Sequence, residues 1–485
     1  MSDIRIRMYR VGFGDFFLLT FDGDKHVIVD CGVFKGTSST GDVGSLEAAI
    51  EDMIAVTGGK IALIVVTHRH ADHIAGFGRF AARFAESLEV ESIFMPIWET
   101  EYDDTAKKFQ AELTSLAEQL QDHLDLRLAA GKDVGTALYH RIGNATGREP
   151  PVLGAAGNTA PKKQASKNKM ALELLKTGFK GIKPQYLASG DTPKLPKSLR
   201  DAGVRIEVLG PPPVDKLDLM KLMDLKTGVG QFLAMAGAAP DGELPEDAPP
   251  SAWEPFGPSW RAPRDSISPW GFVDWMPRRG AELRACHGDK AQEDAVTNPA
   301  REQFEALLGR STPEALAIAA KKLDGFLNNQ SLVLLFSYGG RNLLFAGDAQ
   351  AGNWEHWLFD TDEPDKEGDL PLSKRAKEIL ESVDVYKVGH HGSTNSTPKI
   401  VAKTLRKNAV CLCSTEAEVY GESHGTAVPL AKLMTALRAD RRLVRSDALS
   451  IEVGGKTVKT HARLPEDDTG LAPGAVWIDY TLEAD

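Results

Sequence analysis

Residues 61–76, IALIVVTHRHADHIAG, carry the feature on which the interpretation of the whole chain depends. The run from Ile61 to Thr67 is almost wholly apolar and rich in β-branched residues, which is typical of a strand buried on both faces. It is followed by FGRFAARFAESL, whose apolar residues recur at helical spacing. Between the two lie four residues of metal-ligand type: His68, His70, Asp72 and His73. The stretch therefore predicts a strand, a polar turn and a helix.

The polar turn has the composition of a metal site. His68 and His70 are two residues apart and can converge on one ion, whereas Asp72 and His73 can turn to a second. Imidazole nitrogens and carboxylate oxygens are the ligands that zinc, iron and manganese take in proteins. The chain has only 12 histidines in 485 residues, so three within six positions favour a metal site over a loop that is His-rich by chance.

The spacing of these four residues resembles the HxHxDH signature of the metallo-β-lactamase fold superfamily, and every position of the signature is filled. This resemblance implies an α/β fold, namely an αββα sandwich, here with a large central insertion. It divides the chain into a first half at residues 1–100, a stretch at 101–324 that is largely insertion, and a second half at 325–485. It also implies two divalent metal ions as cofactors, zinc or manganese.

The bulk composition is that of a soluble globular protein, with 42% hydrophobic and 26% charged residues. No apolar run approaches the roughly 20 residues of a membrane span, and the N-terminal MSDIRIRMYR lacks the apolar core of a secretory signal. Four cysteines in a chain of this length do not make a disulfide framework, which favours unpaired thiols in a reducing cytosol. We therefore expect a cytoplasmic protein without a membrane partner, and no particular protein partner is indicated.

The opening of the chain contains two further motifs. Residues 4–11 and the following FFLLTF predict two strands around the turn VGFGD, and HVIVDCG predicts a third strand that ends at Asp30. The VGFGD turn and the strand end IVDCG resemble the corresponding segments of the ComEC DNA-uptake proteins, one branch of the same superfamily. By that resemblance Asp30 is a carboxylate that orients a ligand histidine without itself binding the metal.

The middle of the chain has a different pattern. Apolar residues at helical spacing from Phe109 to Leu128 predict a long packing helix, and residues 299–324 predict another helix. VRIEVLGPP at 204–212 predicts a core strand near 204–210, closed by prolines. Residues 236–298 are rich in glycine, proline and alanine, and we interpret them as a surface insertion.

Residues 162–205, here called the basic segment, contain eleven Lys or Arg and three acidic residues, which gives +8 in a chain of net charge −11. The overall charge argues against a surface that is basic all over, but not against a local patch. The basic segment is either a solvated lysine-rich surface or a surface that attracts phosphate groups. Its substrate-binding candidates are Lys162, Lys163, Lys167 and Lys169.

Three segments of the second half carry site candidates. Residues 330–350 predict a hairpin, and Asp348 at its end matches the carboxylate that bridges two metals in the superfamily. The run GHHGS at 389–393 again resembles the ComEC-like branch. One of His390 and His391 is a metal ligand, and the other donates a proton or holds a phosphate oxygen; the sequence does not decide which. Ser393 is a substrate-binding candidate.

His424, in VYGESHGTAVP, matches a histidine of a late segment of the same branch. The catalytic candidates are thus Asp72, His391 and His424. One ligand that the resemblance implies is missing, because the superfamily usually has a further histidine for the first metal between HxHxDH and the bridging Asp. Only His123, His140 and His287 lie there, none at the end of a predicted strand, and Asp191 in ASGDT is a possible substitute.

The resemblance implies a metal-dependent hydrolase in which a metal-bound hydroxide is the nucleophile. The ComEC-like branch implies a phosphodiesterase or nuclease, with nucleic acid or a nucleotide as the substrate. The alternatives are hydrolysis of a small ester, amide or thioester, and a catalytically degenerate binding module. The clustered ligands argue against the binding module, because a module without chemistry has no need of them.

Overall fold

The computed structural model describes residues 3–33, 45–129, 136–148, 166–222, 313–360, 370–417, 419, 428–447, 451–453, 456–458, 471–473 and 476–484. Lys162, Lys163 and His424 lie outside the described residues, as does the stretch 236–298.

Strands occur along the whole described chain. Their bounds are β1 (Asp3–Tyr9), β2 (Phe16–Phe21), β3 (Lys25–Cys31), β4 (Lys60–Val65), β5 (Glu89–Pro96), β6 (Gln185–Leu187), β7 (Arg205–Gly210), β8 (Val333–Tyr338), β9 (Arg341–Phe345), β10 (Val385–Lys387), β11 (Val410–Cys413), β12 (Arg442–Arg445), β13 (Ile451–Val453), β14 (Lys456–Val458), β15 (Leu471–Pro473) and β16 (Trp477–Glu483).

The helices lie between these strands along the chain, singly or in groups. Their bounds are α1 (Leu46–Thr57), α2 (Ala71–Arg79), α3 (Ala81–Ser87), α4 (Asp104–Ala129), α5 (Thr136–Thr146), α6 (Lys167–Glu173), α7 (Lys197–Asp201), α8 (Leu217–Met220), α9 (Pro313–Asn328), α10 (Ala351–Leu358), α11 (Lys374–Ser382), α12 (Lys399–Thr404) and α13 (Ala431–Arg438). In the described part of the chain, no helix is both long enough and apolar enough to span a bilayer.

Two mixed sheets form the centre of the fold. The first has the strand order β15-β16-β1-β2-β3-β4-β5-β6, and the second has the order β12-β11-β10-β9-β8-β7. Strands β3 to β6 are parallel neighbours, as are β9 to β12. The central part of the chain supplies an edge strand to each sheet, β6 to the first and β7 to the second.

The two sheets face each other across one hydrophobic core, and helices cover both outer faces. In β4 and its continuation, Leu63 and Val65 lie in the core between the sheets, whereas Ile64 and Val66 lie in the core under the helices. This alternation follows from the two-residue repeat of a strand. Because both faces of the strand are buried, apolar residues are needed at odd and at even positions. Helices α10, α11 and α13 cover the second sheet. The expected αββα sandwich is therefore confirmed.

A fourth apolar cluster lies among helices α4, α5 and α9, next to Trp98 at the end of β5. The predicted helix from Phe109 to Leu128 corresponds to α4, and Leu113, Leu120 and Leu124 are its buried face. Helix α9 packs against α5 and α4. These three helices, here called the helical unit, stand beside the end of β4 at which the histidines begin.

Candidate metal centre

The candidate site is built at the carboxyl ends of strands from both sheets. The end of β4 delivers His68 and His70, and the first turn of α2 delivers Asp72 and His73. Asp348 follows β9, and His391 follows β10. Because the strand ends of the two sheets meet at one edge, side chains distant in sequence lie together there. These six side chains are at most 1% exposed.

The first group of ligand atoms comes from the polar turn. His68 Nε2 lies 3.0 Å from His70 Nδ1, which is close enough for both nitrogens to face one ion. Asp348 Oδ2 lies 4.0 Å from His68 Nε2. His68, His70 and Asp72 each offer an atom to this group, and the three atoms lie within 4.8 Å of one another.

The second group contains Asp72, His73, Asp348 and His391. Asp348 Oδ2 is 3.0 Å from His73 Nε2, and Asp72 Oδ2 is 3.2 Å from His391 Nε2. Asp348 Oδ2 thus faces His68 in the first group and His73 in the second. This is the arrangement that a carboxylate bridging two ions needs.

The residues present fit a divalent cation in each group. Asp72 Oδ1 is buried and has no hydrogen-bond partner among the described residues, and the 3.0 Å contact of Asp348 Oδ2 with His73 Nε2 does not have hydrogen-bond geometry. A buried polar atom without a partner costs about 1–3 kcal/mol, and more when it is charged. Coordination of a cation would remove this cost, and the oxygen and imidazole donors suit zinc or manganese.

Three of the four histidines are held in orientation by a contact to Nδ1, the ring nitrogen that does not face the ligand groups. In each case Nδ1 is held, by Thr67 Oγ1 for His68 (3.2 Å), by Asp30 Oδ2 for His73 (2.7 Å) and by the Ser414 carbonyl for His391 (2.8 Å). Asp30 in turn accepts from the Thr67 backbone N–H at 2.8 Å. Such contacts leave Nε2 as the atom that faces the ligand groups, and they set the tautomer that binds a metal.

The structure separates the two neighbouring histidines. His391 is buried in the second group, whereas His390 is partly exposed, and its Nδ1 lies 2.8 Å from Ser393 Oγ. The Ser393 hydroxyl donates to Asn395 Oδ1 at 2.8 Å, so its oxygen accepts from His390 Nδ1–H. The His390 backbone N–H donates to Asp348 Oδ1 at 2.8 Å. His390 therefore contacts Asp348 through its main chain, not through its imidazole.

Three residues of the site have left-handed backbone conformations, with φ of +55° at Asp30, +45° at His390 and +53° at His391. This conformation costs a non-glycine residue on the order of 1–3 kcal/mol. Such strain persists only when surrounding contacts determine the backbone. Here Asp30 accepts from the Thr67 backbone N–H, and the His390 backbone N–H donates to Asp348.

Lys387 lies at the back of the site with its ammonium group fully buried. Its Nζ makes an ion pair with Asp15 and lies 3.4 Å from Asp348 Oδ1 and 3.1 Å from the Gly347 carbonyl. Asp15, Asp30 and His73 also have the spacing of a metal site. The Lys387 ammonium already compensates Asp15, so we do not assign an ion to this third group.

The pKa values of the site's histidines and carboxylates depend on one another. Burial lowers the pKa of His73, but Asp348, Asp30 and Asp72 outweigh burial and raise it well above its usual range. Conversely, burial raises the pKa of Asp348, but His73 and Lys387 outweigh burial and hold it well below its usual range. His68, mainly because of burial, has a pKa well below its usual range and so presents a neutral imidazole.

Two asparagines, one in the helical unit and one on α6, hold the polar turn, and the sequence pattern did not indicate either of them. Asn144 Oδ1, on α5, accepts from the Asp72 backbone N–H at 3.0 Å and so caps the start of α2. Asn168 Nδ2, on α6, donates to the Arg69 carbonyl at 2.9 Å. An asparagine in a helix has no sequence signal that distinguishes such a contact from a surface position.

Gly32, the last residue of the IVDCG motif, lies so close to the start of α2 that no side chain fits there. A Cβ at this position would lie 2.3 Å from the Asp72 carbonyl carbon and from the His73 nitrogen. The turn before β2 is tied to the same place, since the Asp15 backbone N–H donates to the Asp72 carbonyl at 2.9 Å. Both motifs near the N-terminus therefore support the backbone of Asp72 and His73, the two candidate ligands on α2.

The remaining candidates lie around the site rather than in it. Lys167 and Lys169 flank Asn168 on α6; Lys167 is partly exposed and Lys169 is exposed. Asp191 is exposed and accepts from the Ala188 backbone N–H at 2.8 Å, and it belongs to neither ligand group. Arg69, between the first two histidines, pairs with Glu99 at 2.6 Å.

Comparison with known families bears on the first part of the site. Residues 9–157 match the model of the metallo-beta-lactamase superfamily. No curated protein matches the chain. The match covers less than a third of the chain and includes the four ligands of the polar turn, but neither Asp348 nor His391. The chain is therefore similar over this range to a superfamily whose members are generally metal-dependent hydrolases.

Proposed function

We propose that the protein is a metal-dependent phosphodiesterase that acts on nucleic acid or nucleotides. The observation that carries the proposal is the convergence of six buried imidazole and carboxylate side chains, from three separate segments, on two adjoining ligand groups. A cluster of this kind is costly to bury unless it holds cations. If these residues only stabilised the fold, Asp72 and Asp348 would not need a buried oxygen that lacks a hydrogen bond.

Divalent ions held by these residues would supply Lewis acidity and lower the pKa of water to about 7. The chain's own groups position that chemistry. Lys387 and the His390 backbone N–H hold Asp348 Oδ1, which leaves Oδ2 directed at both ligand groups. Asp30 and the Ser414 carbonyl orient His73 and His391 in the same way.

Two features favour a phosphodiester over a small ester, amide or thioester. The first is the resemblance of VGFGD, IVDCG and GHHGS to the ComEC-like branch. The second is the position of Lys167 and Lys169. They are the sequence neighbours of Asn168, whose side chain donates to the Arg69 carbonyl in the polar turn. Lysines at this distance can bind the phosphates of a strand whose scissile bond lies at the site.

Purified full-length protein should first be analysed for metal content, and then stripped with chelator and supplied with Mn²⁺, Zn²⁺ or Mg²⁺. We expect hydrolysis of bis-p-nitrophenyl phosphate and of single-stranded DNA or RNA, and little hydrolysis of p-nitrophenyl acetate. His73→Ala should abolish both activities. The matched control is His356→Ala, which replaces a partly buried histidine on α10 outside the ligand groups. Activity on the acetate ester alone would contradict the proposed substrate class.

The basic segment is tested separately with Lys167→Ala and Lys169→Ala combined. Cleavage of a long single strand should fall at moderate salt, because each lost phosphate contact removes about 0.7 from the slope of log affinity against log salt. Hydrolysis of bis-p-nitrophenyl phosphate should not change, since that molecule is too small to reach the lysines. Lys374→Ala with Lys377→Ala, two exposed lysines on α11, serves as the control. If both double variants lose the same cleavage activity on the long strand, the basic segment contributes only through general surface charge.

A further inference from the structure

We propose that Asp324, on α9, is a positioning residue that holds His70 with Nδ1 towards the first ligand group. The inference rests on the proposed function only in requiring a metal ion at that group. No motif or resemblance assigns a role to Asp324, which lies far outside the matched residues 9–157. It comes from the helical unit, whereas the six ligands come from the ends of the two sheets.

His70 differs from the other three histidines of the site. Its Nδ1, not its Nε2, faces His68 Nε2, at 3.0 Å. Its Nε2 is buried and has no hydrogen-bond partner among the described residues. The group that Nε2 faces is Asp324 Oδ1, at 3.6 Å. This separation is within ion-pair range and longer than the roughly 2.9 Å of an N–H···O hydrogen bond, so Asp324 faces Nε2 as a charged partner.

This geometry separates an orienting role from a ligand role. The two ring nitrogens point to different sides of the imidazole, so the group on the Nε2 side cannot share the ion on the Nδ1 side. His68 Nε2 marks the side of the ion, and Asp324 is on the other. Asp324 is therefore not the missing ligand. It gives His70 a charged group on the side away from the ion, as Thr67, Asp30 and Ser414 give the other three histidines a hydrogen-bond partner there, and such a group selects the nitrogen that binds the metal.

Asp324 is fixed by the packing of its helix. It is 8% exposed, and its neighbours Leu323, Phe326 and Leu327 are buried in the core of the helical unit. The segment after α9 returns to the polar turn, where the Leu332 backbone N–H donates to the Thr67 carbonyl at 2.9 Å. The segment that follows α9 is thus joined by a main-chain hydrogen bond to the strand extension that precedes His68.

The test compares Asp324→Ala, Asp324→Asn and the control Lys322→Ala, an exposed lysine on the same helix. Stoichiometry and affinity for Mn²⁺ and Zn²⁺ are measured by calorimetry and chelator competition, and the Co²⁺-loaded forms are compared by absorption spectroscopy. Asp324→Ala should still bind as many ions as the parent at saturation, but the affinity of the first site should fall about 10- to 100-fold. Asp324→Asn should lose less, because its amide oxygen still accepts from Nε2–H.

The Co²⁺ spectrum should change in Asp324→Ala and should not change in Lys322→Ala. A purely structural role of the helix would not produce this difference. The inference is overturned if Asp324→Ala binds metal as tightly as the parent, or if it binds one ion fewer, since that would make Asp324 a ligand. It is also overturned if Asp324→Asn is as weak as Asp324→Ala. A parent protein that binds metal but hydrolyses no phosphodiester would contradict the proposed function and leave this inference standing.

Discussion

Replacement of Lys387 by Met should destabilise the metal-free protein by about 3–5 kcal/mol, the usual cost of removing one partner from a buried ion pair. Lys387 is 2% exposed, and its ammonium is shared by Asp15 and Asp348, which are 1% and 0% exposed. Burial alone would lower the pKa of Lys387, but the two carboxylates outweigh burial and raise it, so the amine is charged in the folded protein. The variant would leave both carboxylates without their common cation.

The destabilisation should be smaller in metal-loaded protein, because ions beside Asp348 would compensate one of the two carboxylates. Urea unfolding of parent and Lys387→Met, followed by the fluorescence of buried Trp98 and Trp354, measures both differences with chelator and with Mn²⁺. Lys374→Met is the control, since the Lys374 side chain is 91% exposed and should give no measurable shift. A loss below about 1 kcal/mol with chelator, or an equal loss with metal, would refute the reasoning.

Three further predictions follow from other contacts. Arg7→Lys should cost about 1.5–3 kcal/mol in urea unfolding, because lysine cannot reproduce the two 2.7 Å bonds from the Arg7 guanidinium to Asp479. Asn144→Ala should cost about 1–3 kcal/mol and weaken metal retention on dialysis, because the Asp72 N–H loses its acceptor; unchanged retention would contradict the capping role. Burial and then Arg5 lower the pKa of His26 in the folded protein. The unfolded chain therefore binds the proton more readily, and stability should fall as pH decreases through about 6.5. His26→Gln should show a smaller difference in urea midpoint between pH about 7.5 and about 5.5 than the parent, and an equal difference would exclude this contribution.

Much of the fold was predictable from local patterns. The run from Ile61 to Val66 is apolar at odd and even positions alike and rich in β-branched residues, and a strand covered on both faces buries every one of these side chains. The spacing of His68, His70, Asp72 and His73 likewise brings the ligands together by local geometry, because they lie on one turn and the first turn of the next helix. Where neighbours in sequence are neighbours in space, the sequence alone was sufficient.

The tertiary structure decided the parts of the site that depend on distant segments. The choice of His391 over His390 follows from two left-handed residues that send adjacent side chains to different places, which no local pattern encodes. The contacts of Asp324, Asn144 and Lys387 likewise arise only when helices and sheets pack. A hydrogen bond depends on a few tenths of an ångström, and this precision is set by packing between elements and not by the periodicity of any one of them.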